Sequence, residues 1–112
     1  MILTAGDSGS GDVTLLDMRQ DALDLEIQGS GDITVSGEVT RLHVQVAGSG
    51  DVDASELIAE SADLSVAGSG DIEAFVRSDV RARVAGSGDI VVRGNPPRRD
   101  DRVAGSGKIK FR

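Results

Sequence analysis

The sequence contains no cysteine, tryptophan or tyrosine, and only two prolines and two phenylalanines. Without cysteine, disulfide frameworks and thiolate metal sites are excluded, and the redox compartment stays open. Without large aromatics the core must be built in thin layers from Val, Ile, Leu and Ala, which dominate the 38% of residues of hydrophobic type. No apolar run reaches the roughly 18 residues of a membrane-crossing helix. The start, Met1-Ile2-Leu3-Thr4-Ala5, is too short for a signal peptide, so the leader of an exported form would lie outside this chain. Basic residues are also scarce: 12 Lys and Arg against 19 Asp and Glu give a net charge of -7. That balance repels phosphate backbones and anionic membrane surfaces, so nucleic acid is not an expected partner. Arg98, Arg99 and Arg102 form a small basic spot, largely cancelled by Asp100 and Asp101.

What the sequence does have is glycine in a repeating frame. Gly-Ser-Gly recurs at 9–11, 29–31, 48–50, 68–70, 86–88 and 105–107, spaced by 20, 19, 20, 18 and 19 residues. A period near 19 with few insertions predicts one supersecondary unit stacked on copies of itself. Two residues before each triplet stand Ile27, Val46, Val66, Val84 and Val103; two residues after it stand Val13, Ile33, Val52, Ile72, Ile90 and Ile109. Further apolar columns follow at period two, among them Leu23, Leu42, Ala62 and Val80, then Leu25, Val44, Leu64 and Ala82. Beyond the triplet come Leu15, Val35, Ala54, Ala74, Val92 and Phe111. Between them lie polar residues such as Asp24, Glu26, His43, Gln45, Arg81 and Arg83, which is the alternation of half-buried strands.

Each coil is therefore expected to hold two strands meeting at a glycine corner and a variable return, with coils pairing in parallel about 4.8 Å apart. Leu16, Val39, Leu57 and Val76 in the returns predict a third, shorter wall. An antiparallel barrel would need repeated Asn-Gly or Asp-Gly hairpin turns, which are missing. The expected organisation is one domain over 1–112 with about five to six coils. A polar loop at 94–102, in which Arg99 and Asp101 occupy inward positions, leads to a closing strand pair at 102–112.

Val-Ala-Gly-Ser-Gly-Asp-Ile at 84–90, its copies at 46–52 and 66–72, and Val103-Ala104-Gly105-Ser106-Gly107-Lys108-Ile109 resemble the auto-transporter adhesin head GIN domain family of bacterial proteins. The resemblance covers nearly the whole chain and implies a right-handed parallel β-helix, a hand that parallel crossovers generally favour. It further implies an exported or envelope-associated setting and no enzymatic activity. It supplies no catalytic residues.

The residue after each triplet is Asp12, Asp32, Asp51, Asp71 and Asp89, ending in Lys108. Stacked about 5 Å apart, these carboxylates repel unless each accepts hydrogen bonds at its corner or shares a cation. Weak Ca²⁺ binding is the alternative reading, oxygen ligands suiting a hard cation, but the calcium-binding solenoid repeat is a nonapeptide and does not match this period. Gly6-Asp7-Ser8-Gly9-Ser10 resembles a serine-protease nucleophile motif, yet His43 is the sole histidine and its alternation puts it outward, remote from Ser8. Gly105-Ser106-Gly107-Lys108 fails as a phosphate-binding loop because Arg102 and Ile109 stand where Gly and Ser or Thr are needed. The function expected is a non-enzymatic structural or interaction module, without cofactor. It would present polar ladders to a protein or glycan surface and form homo-oligomers through its end coils.

Overall fold

The structure, a computed structural model, describes residues 2–9 and 12–112. It is a parallel β-solenoid of about five turns with a period of about 19 residues. The strands are β1 (Ile2–Gly9), β2 (Val13–Gly29), β3 (Ile33–Gly48), β4 (Val52–Gly68), β5 (Asp71–Gly86), β6 (Asp89–Arg93), β7 (Arg98–Gly105) and β8 (Lys108–Phe111). Every pairing is parallel, and the order follows the chain from β1 to β6 and then β8, with β7 on β5. Position along the sequence is therefore position along the stack.

The glycine corner is where each coil is interrupted. Gly29, Gly48, Gly68, Gly86 and Gly105 lie in register on successive rungs. The first glycine of each triplet from Gly29 to Gly105 supplies a left-handed φ, +123° at Gly48, that side chains rarely adopt. The last is excluded from change by space: a Cβ at Gly50 would lie 2.2 Å from the Gly31 carbonyl oxygen and 2.7 Å from Ile27 Cγ2. The turn aims two consecutive N–H groups at one carbonyl of the coil before. Ser49 N donates to Gly29 O at 2.9 Å and Gly50 N to the same oxygen at 3.2 Å, and the pattern repeats at Ser69, Ser87 and Ser106.

The predicted columns form the core. Leu25, Val44, Leu64 and Ala82 are fully buried, as are Ile27, Val46, Ile72 and Ile90 to within 1%, and no charged or polar side chain is buried among the described residues. Since each layer touches the layer above and below, successive β-branched and aliphatic side chains stack into one continuous apolar column.

The returns stay in the sheet, as a third wall requires: Met18, Arg19 and Gln20 pair with Gly37, Glu38 and Val39. Of the residues expected to form a third wall, Val39, Leu57 and Val76 are buried, but Leu16 is 65% exposed. A register shift between Leu15 and Met18 and the left-handed φ of Asp17, 55°, move the inward position, and Met18 packs against the core instead.

The last coil also departs from expectation. Residues 98–102 fall in the stretch expected to be loop, yet β7 begins at Arg98, with Arg99 opposite Val80 and Asp101 opposite Ala82. Backbone pairing to β5 carries this segment without apolar side chains, and all of β7 is exposed. Arg99 lies over the Phe111 ring at 4.7 Å while its Nε donates to Pro96 O at 2.9 Å and its Nη2 to Asn95 Oδ1. A guanidinium on an aromatic face thus takes the place of the next aliphatic layer.

Candidate functional site

Among the grooves on the outside of the stack, two hold residues singled out from the sequence. One follows the Asp column: Asp32, Asp51, Asp71 and Asp89 flank it beside Thr34, Asp53 and Glu73, enclosing about 400 Å³. All of the predicted column residues Asp12, Asp32, Asp51, Asp71 and Asp89 are exposed, and Asp89 pairs in register with Asp71 on one side and Lys108 on the other.

The carboxylates are committed to the backbone. Asp32 Oδ1 accepts from Asp51 N at 3.3 Å, Asp51 Oδ1 from Asp71 N at 3.2 Å, Asp71 Oδ1 from Asp89 N at 3.1 Å and Asp89 Oδ1 from Lys108 N at 3.2 Å. At the corner the Ser and Gly N–H groups already share the Gly carbonyl of the coil before, so the third N–H needs another acceptor, except at Lys108, whose N also donates to Gly88 O at 3.3 Å. The Asp side chain is that acceptor. Its donor belongs to the following coil rather than to its own corner, which sequence reading did not foresee. No described N–H calls on a side chain at position 108 in this way, and lysine occupies it. Among the described residues no three His, Cys, Asp or Glu side chains converge as a metal site would require.

The second groove encloses about 630 Å³ over a floor of Leu23, Leu42, Ala62 and Val80. Its rim alternates in sign. His43 Nδ1 lies 3.6 Å from Asp24, Arg81 Nε 3.9 Å from Asp100 and Arg98 Nε 3.9 Å from Asp79. These are exposed pairs, each worth well under about 1 kcal/mol. His43 is thus a rim residue, and Ser8 stands opposite Gln28, four residues along the strand from Asp24, the partner of His43. The protease-like motif and the histidine are not brought together.

One feature was missed by averaging over the sequence. Residues 1–80 hold 16 acidic and 3 basic residues, whereas 81–112 hold 3 acidic and 9 basic. In a solenoid this becomes segregation in space, an acidic first part and a basic last part. The basic spot expected at 98–102 is one piece of that larger region. A running charge count along the repeats would have found it.

No helix among the described residues is long and apolar enough to cross a membrane. No curated protein matches the chain. Among solved structures, a putative lipid binding protein from Parabacteroides distasonis is 33% identical with a TM-score of 0.96 over 99% of this chain and 45% of its own. A putative adhesin from Bacteroides fragilis is 25% identical with a TM-score of 0.88 over 96% of this chain and 53% of its own. The chain therefore spans about half the length of these structures. Residues 2–96 match the family described as putative auto-transporter adhesin, head GIN domain. That match covers most of the sequence, its repeats carry the expected motif and its fold is shared with the putative adhesin of known structure: the chain belongs to the auto-transporter adhesin head GIN domain family.

Proposed function

We propose that this chain is a non-enzymatic, adhesin-like interaction module of an exported or envelope-associated protein. Its regular outer ladders meet a protein or glycan surface, and its coils associate with those of a second copy through their ends. Family membership supports the interaction role and the setting. The feature that supports self-association is the parallel ladder itself, in which each coil pairs in register with the next, so that a strand of a second copy has a ready template. Unpaired strand edges are templates for another chain. Light scattering across a concentration series tests this; a rising mass is expected, and a strict monomer at the highest concentration contradicts it.

The calcium alternative is the weaker reading, because one oxygen of each of four carboxylates already accepts a backbone N–H. A native-state cation would raise the melting temperature at millimolar Ca²⁺ and a chelator would lower it. An unchanged melting temperature in both conditions is expected here.

A further inference from the structure

We infer that the groove over Leu23, Leu42, Ala62 and Val80 is a binding site for a linear, neutral oligosaccharide lying along the stack, one sugar to a coil. The inference rests on the glycan-facing half of the interaction reading and adds the site, the ligand class and the residues that hold it.

Register and spacing decide what kind of chain fits. Arg41, Ser61 and Asp79 form a column on one side of the floor, and His43, Asp63 and Arg81 a column on the other, each in register from coil to coil. The groove reaches Asp24 on β2 and Asp100 on β7, so it crosses five coils, about 19 Å at about 4.8 Å per rung. A ligand lying along it meets the same spacing at every step. An extended peptide advances about 3.4 Å per residue and falls out of step with the rungs. An equatorially linked pyranose advances by close to one rung and stays in step.

The polar groups decide between a charged and a neutral ligand. At the flanks the charges are consumed within the protein: His43 lies 3.6 Å from Asp24, Arg81 3.9 Å from Asp100 and Arg98 3.9 Å from Asp79. The middle is different. The side chains of Arg41, Ser61 and Asp63 make no hydrogen bond or ion pair among the described residues. Ser61 and Asp63 are half-buried on one rung, either side of Ala62, and Arg41 is on the rung next to Ser61. A half-buried polar group without a partner is a place where a ligand can supply one. These three offer a cationic donor, an anionic acceptor and a hydroxyl that does both, with no net charge. A polyanion would meet Asp63 and a polycation Arg41, whereas adjacent sugar hydroxyls, each donor and acceptor, satisfy all three. No Phe lines the groove and the chain has no Trp or Tyr, so binding rests on hydrogen bonds and is weak at a single site.

The test titrates the isotope-labelled full chain with chitohexaose and cellohexaose, both neutral and β-1,4-linked, and follows the backbone amide resonances. Shifts are expected at 41–43, 61–63 and 79–81, with 104–107 unmoved. Asp63→Ala should weaken binding about tenfold or more, and Asp63→Asn, which keeps an acceptor oxygen, by less. Lys110→Ala, outside the groove, should leave it unchanged, and circular dichroism establishes that each variant is folded. Maltohexaose, whose axial linkages coil it out of step, and heparin, a polyanion, should not shift the groove residues. Hexasaccharide binding that survives Asp63→Ala, or shifts centred elsewhere, would overturn the groove while leaving the glycan-facing reading standing. Equal binding of maltohexaose or heparin in the groove would overturn the match to a neutral chain in step with the coils. A chain that binds none of these glycans would overturn the groove and the glycan-facing reading together.

Discussion

The glycine corner and the return segment of each coil do the same geometrical job, redirecting the chain, but under opposite constraints. At the corner five glycines are in register without a slip. In the returns the register shifts between Leu15 and Met18, Thr34 and Ser36, Ala54 and Ile58, and Ala59 and Ser61. The spacing between triplets varies from 18 to 20 residues, and that variation is absorbed entirely in the returns. A corner built on backbone approach as close as that of Gly50 to Gly31 tolerates one solution. A return held by intermittent pairing tolerates several, so the same fold combines a strictly repeated motif with unrelated connecting sequences.

The largest effect that would break this contrast is at the corner. Gly50→Ala places a Cβ 2.2 Å from a backbone oxygen, which no side-chain movement relieves. A loss of about 3 kcal/mol or more is expected, read from the denaturation midpoint at unchanged slope. Removing one rung of the carboxylate ladder should matter less. Asp51→Ala leaves Asp71 N without its 3.2 Å acceptor and is expected to cost about 1–2 kcal/mol, while Asp51→Asn, which keeps an acceptor oxygen, should cost less than half of that. Equal losses in the two variants would show that charge, not hydrogen bonding, fixes aspartate at this position. The smallest effect is expected in a return: one glycine inserted between Ser55 and Glu56, inside the irregular stretch of β4, should cost under about 1 kcal/mol. The same insertion between Ser49 and Gly50 should instead abolish the cooperative transition.

The inward columns and the corners were legible because a period near 19 repeats the same physical demand at each coil. Val46, Val66 and Val84 can be read as buried from alignment alone. The return was harder to read: Leu16 and Met18 are both apolar, and which turns inward depends on a register shift that no short pattern encodes. The β7 strand was hidden by its charges, since Arg98 to Arg102 gives no hydrophobic alternation and the strand is held by its backbone partner. For the candidate site, the need of each Asp for hydrogen-bond donors was legible, but the donor's place on the following coil was not. The change of charge sign near residue 81 was in the sequence throughout, concealed by the net charge.

The central claim is that the corners lock successive coils in register. The absence of cysteine makes this directly measurable. Ala47 and Ala67 are exposed and paired one rung apart, and Ala67 pairs in turn with Ala85 on the next rung. Adjacent rungs, about 4.8 Å apart, suit a disulfide, and a separation of two rungs exceeds its reach of about 7 Å. Mild oxidation of the doubly substituted chain Ala47→Cys, Ala67→Cys should give a quantitative intramolecular disulfide, and Ala47→Cys, Ala85→Cys should give none. Efficient closure of the second pair, or failure of the first in a folded chain, would contradict the register on which the whole account depends.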